Sequence, residues 1–306
     1  MSDKVLRPVL VPYDRTSLSG KAVSRHFKVK RPFADGRFRP KKSDVIINWG
    51  INDEIPIIKE DTLVLNKPKD VSLAASKLDC LTILGKNGIN VPYFATNLED
   101  AKSLFGITEK VFCRTLTRAS KGKGIVIAKN EKELVDCTLY TAMLDVDIEY
   151  RVHVFNGEVI DLAQKKRMST ERRKDKKIEV RNEEVRNLMN GWSFTRTDIT
   201  LKDAGGVFYH EIIKIALEGA KALNLDFCAI DLIKDKNDVF YILEVNTAPG
   251  MKKGTTTHRR YVRAISRYCA IPFSDESYTE RYGIPNDHKG NLNNFINTYL
   301  NSIKDE

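Results

Sequence analysis

The chain of 306 residues has no apolar run longer than a strand, so no segment of it is expected to cross a bilayer as a helix. Its opening, Met1-Ser2-Asp3-Lys4-Val5-Leu6-Arg7-Pro8, lacks the apolar core of a secretion signal. Cysteine is sparse: Cys80, Cys113, Cys137, Cys228 and Cys269 are scattered, odd in number and without metal-ligand spacing. That excludes a disulfide framework and a thiolate zinc site, and it points to a reducing compartment, the cytoplasm by default. No Ser/His/Asp or Cys/His set presents itself, and no internal repeat. Acidic residues are in deficit: 41 Asp and Glu face 51 Lys and Arg, a net charge of +10. Such an excess favours an anionic partner, whether a nucleotide, an acidic substrate or nucleic acid. With 42% hydrophobic and 30% charged residues, one large or about two globular domains are expected.

The positive charge is unevenly placed. Lys165-Lys166-Arg167, Arg172-Arg173-Lys174, Lys176-Lys177 and Arg181 crowd into one stretch, and Lys28, Lys30, Arg31, Lys41 and Lys42 form an earlier group. The segment 168–190 is polar and poor in apolar residues, which reads as a solvated excursion or as a lid over an anionic substrate. Trp192 and Phe194 would anchor its far end.

Two apolar runs, 227–233 and 239–245, flank a polar Asp-Lys-Asn-Asp turn and read as a β-hairpin. Carboxylates inside such runs need a reason. Glu244 and Asn246 share one strand face by the period of two. With a loop over 235–238, Asp231 pairs with Ile242 and is a diagonal neighbour of Glu244 at roughly 7–8 Å. Two carboxylates and an amide so spread suit Mg²⁺ on a phosphate chain. The alternative is a hairpin with a solvated acidic face.

A second hairpin turns at Asn156-Gly157, the preferred two-residue turn between twisted strands. On it Glu149, Arg151 and His153 share a face, and Arg151, planar and permanently charged, could clamp a phosphoryl group. His153 reads as a packed residue. Simple register places Gln164 on the face of Arg151 and Lys165 on the opposite one, so Arg151 and Lys165 reach one ligand only if the strand twists or bulges.

Before these hairpins, strands are expected at 9–12, 44–50 and 111–114, and helices at 18–23, 73–87 (closed by Gly88) and from Leu98. Ser19-Gly20-Lys21 lacks the first glycine of a phosphate loop and is rejected as one. Trp49 and Asn48, at a strand end, are open to a ligand role or to packing and capping. Arg114 precedes a loop, Ser120-Lys121-Gly122-Lys123-Gly124, that can lay N–H and ammonium groups over a triphosphate, or be a solvated hairpin tip. Further helices are expected at 207–223, 258–271 and 292–303.

Taken together, the Asp231 hairpin closing on Glu244-Val245-Asn246 and Ala248-Pro249-Gly250-Met251, the strand of Arg114 with its Lys-Gly-Lys-Gly loop, and the Glu149-Tyr150-Arg151-Val152 hairpin resemble the ATP-grasp superfamily of carboxylate–amine ligases. The likeness covers most of the chain from Leu73 onward. It is greatest to phage and bacterial ATP-grasp proteins of poorly assigned substrate and more distant to the D-alanine–D-alanine ligases. It implies an α/β (α+β) fold in which two α+β subdomains grip ATP: a pre-grasp α/β domain over 1–95, a lid subdomain with the glycine-rich loop over 96–145, and a subdomain with the metal site over 146–306.

The resemblance also implies roles. Arg114, Ser120, Lys121, Gly122, Lys123 and Gly124 would contact the ATP phosphates, and Tyr140 and Met143, within the linker 139–144, would lie against adenine. Asp231, Glu244 and Asn246 would hold one or two Mg²⁺ ions, or Mn²⁺ in their place. Arg151 with Lys165 or Arg167 would stabilise the transferred phosphoryl group. The implied activity is ADP-forming carbon–nitrogen ligation through an acylphosphate, on small-molecule or peptide carboxylates and amines of anionic character. The rival readings are a nucleic-acid-binding protein with a vestigial or regulatory ATP site, and a ligase acting on a nucleic-acid or protein acceptor. Two departures matter. Arg114 stands where lysine is commoner, and Ala229 stands where the D-alanine ligases carry an arginine for the intermediate, so D-alanine ligation is not expected.

Overall fold

The computed structural model describes residues 5–29, 38–56, 58–59, 61–116, 124–180, 185–196 and 207–283. Ser120, Lys121, Gly122 and Lys123, Lys30, Arg31 and Arg181, and the expected helix at 292–303 lie outside them. Three sheets organise the rest. The first is parallel, in the order β1 (Arg7–Pro12), β2 (Asp44–Trp49), β3 (Leu63–Leu65). All six residues of β2 are buried, as a parallel strand covered on both faces requires. Asn48 and Trp49 resolve to capping and packing. The Asn48 amide donates to the Ile51 and Asn66 carbonyls at 2.8 Å each, and Trp49 stacks on Phe227 with ring centroids 5.2 Å apart.

Helix α1 (Leu18–His26) follows β1, capped by the Ser17 hydroxyl, which accepts from the Gly20 N–H. The single helix expected over 73–87 is two: α2 (Pro68–Ala75) and α3 (Lys77–Lys86). Ser76, in extended geometry, breaks the run, and its hydroxyl accepts from the Asp79 N–H to start a new helix. A serine that can bond its own backbone competes with helix continuation.

The second sheet, antiparallel, has the order β4 (Phe94–Ala95), β7 (Leu139–Ala142), β5 (Val111–Arg114), β6 (Ile125–Ala128). Helix α4 (Leu98–Ser103) packs over it, with a core of Ala101, Leu104, Val111, Cys113, Ala128 and Tyr140.

The third sheet is antiparallel, in the order β10 (Trp192–Thr195), β9 (Glu158–Arg167), β8 (Val146–Phe155), β11 (Phe227–Asp235), β12 (Phe240–Asn246). Between β9 and β10 runs the short, exposed, basic helix α5 (Thr170–Asp175). Asn156 and Gly157 turn β8 into β9 with φ of +49° and +75°, the conformation an Asn-Gly pair adopts most readily. One face of this sheet, with Val152, Ile230, Leu232 and Ile242, packs on α6 (Val207–Ala222) through Ile212, Ile213, Ala216 and Ala220. The same core takes Cys80 and Leu84 of α3. The first sheet joins the other end of the third: Leu10, Val45, Ile47 and Trp49 share a core with Phe155, Phe227 and Tyr261 of α7 (Thr256–Tyr268).

Gly50 ties that junction to the loop that follows β12. Its φ is +89°, and a Cβ there would lie 2.8 Å from Ala248 Cβ. Gly50→Ala is therefore expected to destabilise the fold by about 1–3 kcal/mol, read as a lower midpoint in urea unfolding.

Helix α8 (Asp275–Tyr282) closes the described chain against α1 and α7. There burial, aided by Arg281, lowers the His26 pKa to about 4. Burial, aided by Lys253 and Arg281 against a raising contact with the Ala22 backbone, lowers His258 to about 4 from 6.5. Both rings are neutral when folded and titrate at a higher pH when unfolded. Their contribution is thus complete above pH 6.5 and is lost as pH falls towards 4. Melting temperature should fall between pH 7 and 5, and His258→Gln should flatten that slope.

Candidate active site

The polar face of the third sheet is the floor of a cleft of about 1190 Å³ whose opposite wall is the second sheet. Two β-bulges decide which side chains reach it. Where strict alternation would pair Asp231 with Ile242, a register shift beside Asp231 pairs Ile242 with Leu232 and sets Asp231 directly opposite Glu244. The diagonal spacing expected from the sequence is thereby replaced by a direct cross-strand pair. A second shift, beside His153, sets Lys165 opposite Glu149 and Asp161 opposite His153. Lys165 therefore lies on the face of Arg151, where unbroken register would have turned it away. Each bulge adds one residue to one strand and so flips every side chain beyond it.

The floor is a set of ion pairs. Arg151 forks Asp231, with Nε and Nη2 each 2.6 Å from a carboxylate oxygen. Lys77, the first residue of α3, donates to Glu244 Oε2 at 2.7 Å. Lys165 pairs with Glu149, and Arg196 with Asp161, its Nε 3.0 Å from Oδ1. The Phe194 ring lies over two of these cations, 4.3 Å from Arg151 Cζ and 5.1 Å from Lys165 Nζ, so the sequence expectation of an anchoring Phe194 gains a partner set. Trp192 is covered by Arg186, whose Cζ is 4.8 Å from its ring.

Electrostatics follow from these partners. Burial pushes the Glu244 carboxyl up, but Lys77 and then Arg151 outweigh it and hold the group below its ordinary value. Burial also opposes the Arg151 charge, and Asp231 overcomes it, leaving the guanidinium above its ordinary value. Burial dominates at Glu149, whose carboxyl is raised in spite of Lys165. Arg114 extends from β5 towards the floor; burial lowers its pKa and the Glu244 charge raises it part of the way back.

Arg114, Met143, Arg151, Lys165, Asp231, Glu244 and Asn246 all line the cleft. Arg167, exposed at the end of β9, does not. Gly124 sits at the head of β6 with φ of +70°, its carbonyl accepting from the Thr115 N–H at 2.8 Å. Tyr140 does not face the cleft. It is fully buried in the core of the second sheet, its hydroxyl donating to the Val135 carbonyl at 2.9 Å. The linker still crosses the cleft, and Ala142, Met143, Leu144 and Asp145 line it. His153 is 3% exposed and 3.2 Å from the Tyr261 hydroxyl, a packed residue as expected.

Sequence reading missed Lys77, Asp161, Arg196 and Thr257. The Ser76-to-Asp79 capping spacing marks a helix start at Lys77 but not its partner. The other three meet only in space.

The oxygen donors of Asp231, Glu244 and Asn246 suit a hard divalent cation. No hydrogen-bond partner meets the buried Asn246 Nδ2 among the described residues, although it leans towards Glu244. Turning that amide would present its oxygen in the same place, so the set fits Mg²⁺.

Comparison with known proteins agrees with this geometry. The RimK-like ATP-grasp domain matches residues 74–263. Probable alpha-L-glutamate ligases are similar: that of Histophilus somni is 24% identical over 240 residues, covering 76% of this chain and 65% of the relative. That of Coxiella burnetii is 23% identical over 202 residues, covering 62% and 61%. The chain thus spans less than two thirds of the length of these relatives. Among solved structures, D-alanine–D-alanine ligase from Bacillus anthracis superposes with a TM-score of 0.60 at 13% identity over 90% of this chain and 96% of that one. A Chryseobacterium gregarium ATP-grasp ligase, solved with ADP and a leader and core peptide, gives 0.56 at 16% identity over 87% and 96%. These likenesses establish the fold, and the matched domain covers more than half of the sequence: the chain belongs to the RimK-like ATP-grasp family.

Proposed function

We propose that this protein is an ATP-dependent carboxylate–amine ligase that activates an acid and joins it to an amine, releasing ADP and phosphate. One observation carries the reading. The bulged floor brings Asp231, Glu244 and Asn246 together with Lys77, Arg114, Arg151 and Lys165 in one cleft between two sheets. Bound ATP with Mg²⁺ supplies the phosphoryl group that makes a carboxylate reactive. Asp231, Glu244 and Asn246 would hold the metal. Lys77 and Arg114 would receive the phosphates, and Arg151 and Lys165 would neutralise charge on the group in transfer. Phe194 over these cations keeps water from them, which an acylphosphate demands. The segment Met143 to Asp145 would lie against the base. The three-part division at 95 and 145 is proposed from the resemblance, with β4 (Phe94–Ala95) crossing its first boundary to join the second sheet.

Glutamyl transfer is the reading the relatives favour, and Ala229 in place of an arginine separates the site from D-alanine ligation. The exposed basic helix α5, whose residues do not line the cleft, favours an acceptor carried on an anionic macromolecule, and binding that weakens steeply with salt would show it. The test of the activity is ADP release by the full chain with ATP, Mg²⁺, L-glutamate and a panel of amines and acidic peptides. Product masses should equal acid plus amine less water. No ADP from any pair would overturn the assignment.

A further inference from the structure

The two carboxylates read above as metal-holding already have cationic partners. Both oxygens of Asp231 accept from Arg151 at 2.6 Å, and Glu244 Oε2 accepts from Lys77 at 2.7 Å. The Arg151–Asp231 pair is largely withdrawn from solvent, with side-chain exposures of 22% and 10%, and Lys77 is 16% exposed against 37% for Glu244. Salt and water therefore screen them much less than a surface pair. A divalent cation arriving alone must either displace these groups from the carboxylates or sit beside them. Displacement leaves two positive side chains near the metal with nothing to neutralise them. Neither outcome is favourable.

We propose that Lys77 and Arg151 are built-in competitors for the divalent cation, occupying Glu244 and Asp231 until a phosphate chain draws them off, so that metal and nucleotide bind as one strongly coupled unit. The inference rests on the reading of Asp231, Glu244 and Asn246 as the metal-holding set.

The architecture suits such an exchange. Lys77 is fixed at the start of α3, behind the Ser76 cap, so its ammonium can shift only by the length of its own stem. Arg151 projects from the middle of β8 and lies against the Phe194 ring, 4.3 Å from its centroid. Stacking holds the guanidinium at the cleft surface when it leaves the carboxylate, still facing an arriving phosphate. Arg114, with no carboxylate fork among the described residues and the Glu244 charge nearby, adds to the repulsion of a lone metal and to the attraction of a triphosphate. Coupling of this kind is reciprocal: the nucleotide tightens the metal by the factor by which the metal tightens the nucleotide.

The test is titration of Mn²⁺ into the full chain, followed by the electron paramagnetic resonance signal of the free ion, with and without a non-hydrolysable ATP analogue. For the wild type the analogue should tighten Mn²⁺ roughly 5- to 150-fold, the usual range for coupled sites. Lys77→Met should bind Mn²⁺ alone about tenfold more tightly than the wild type, a difference of about 1.4 kcal/mol, and the tightening by the analogue should shrink correspondingly. Arg151→Met should do the same. Should its loss of the fork to Asp231 unfold the protein, as circular dichroism would reveal, Lys77→Met decides alone. If Lys77→Met binds Mn²⁺ alone no more tightly than the wild type, while Glu244→Gln loses Mn²⁺ binding, the competition is overturned and the metal assignment stands. If Glu244→Gln binds Mn²⁺ like the wild type with the analogue present, the metal assignment falls and the competition with it.

Discussion

Glu244→Gln is expected to lower Mg²⁺-dependent ADP release by roughly 100- to 1,000-fold, the range typical of losing one preorganised electrostatic group, while the protein stays folded. The substitution keeps the shape of the side chain and removes its charge. Glu244 sits on β12 directly opposite Asp231, two residues before Asn246, so no neighbouring carboxylate on its own strand face can replace it. Its side chain is 37% exposed and its ion-pair partner among the described residues, Lys77, reaches it from a helix rather than from the sheet. Loss of the charge therefore removes a part of the site without removing a part of the core. Circular dichroism and the thermal midpoint should stay near those of the wild type. Turnover within tenfold of the wild type, with the fold intact, would sink the assignment of Glu244 to the metal.

How far this site was legible in the sequence depends on which force placed each residue. Glu244 and Asn246 are legible because a period of two puts them on one strand face, and the apolar run around them marks the face as unusual. Arg151 and Glu149 follow by the same rule from the Asn156-Gly157 turn. Lys165 is not legible, since its face is set by an extra residue, Ile160, and nothing in Val159-Ile160-Asp161-Leu162 announces a bulge. The burial of Val159 and Leu162 in one core, three residues apart, is the mark it leaves in the structure. The direct pairing of Asp231 with Glu244 is hidden for the same reason, with Ile242 and Val245 as the buried pair.

Tyr140 shows the opposite failure. The linker 139–144 is expected against adenine, but strand alternation turns Tyr140 into the core and leaves Thr141 on the cleft side. Strands β1 and β2 of the first sheet are readable, but not β3, nor the fusion to the third sheet, because Trp49 on Phe227 and Phe155 is a contact between distant runs. Lys77 meets Glu244 across 167 residues, and no local pattern carries that information.

The largest loss of stability is expected from Asp161→Asn, about 3–5 kcal/mol, the range for removing one partner of a buried ion pair. Asp161 is wholly buried on β9, opposite His153. Burial raises its carboxyl, and Arg196 outweighs that and holds it ionised. Arg196 Nε donates to it at 3.0 Å, and the Thr257 hydroxyl donates at 2.8 Å while accepting from Arg196 Nη2 at 2.6 Å. Three elements meet at this carboxylate: the floor strand β9, the residue that follows β10, and the first turn of α7. An asparagine keeps the shape but turns an amide N–H₂ towards groups that donate, and it takes the countercharge from a guanidinium whose side chain is 12% exposed. A loss of this size is a large share of the 5–15 kcal/mol that holds a typical domain folded, so the variant should unfold at markedly lower urea. Removing both charges should hurt less than removing one: Asp161→Asn with Arg196→Met is expected to recover part of the loss, since an apolar pair can replace a buried ion pair at little net cost. Urea unfolding of the two single variants and the double one measures the coupling directly. Additive losses, or an Asp161→Asn change below about 1 kcal/mol, would show that this pair does not lock the edge strand and α7 to the floor.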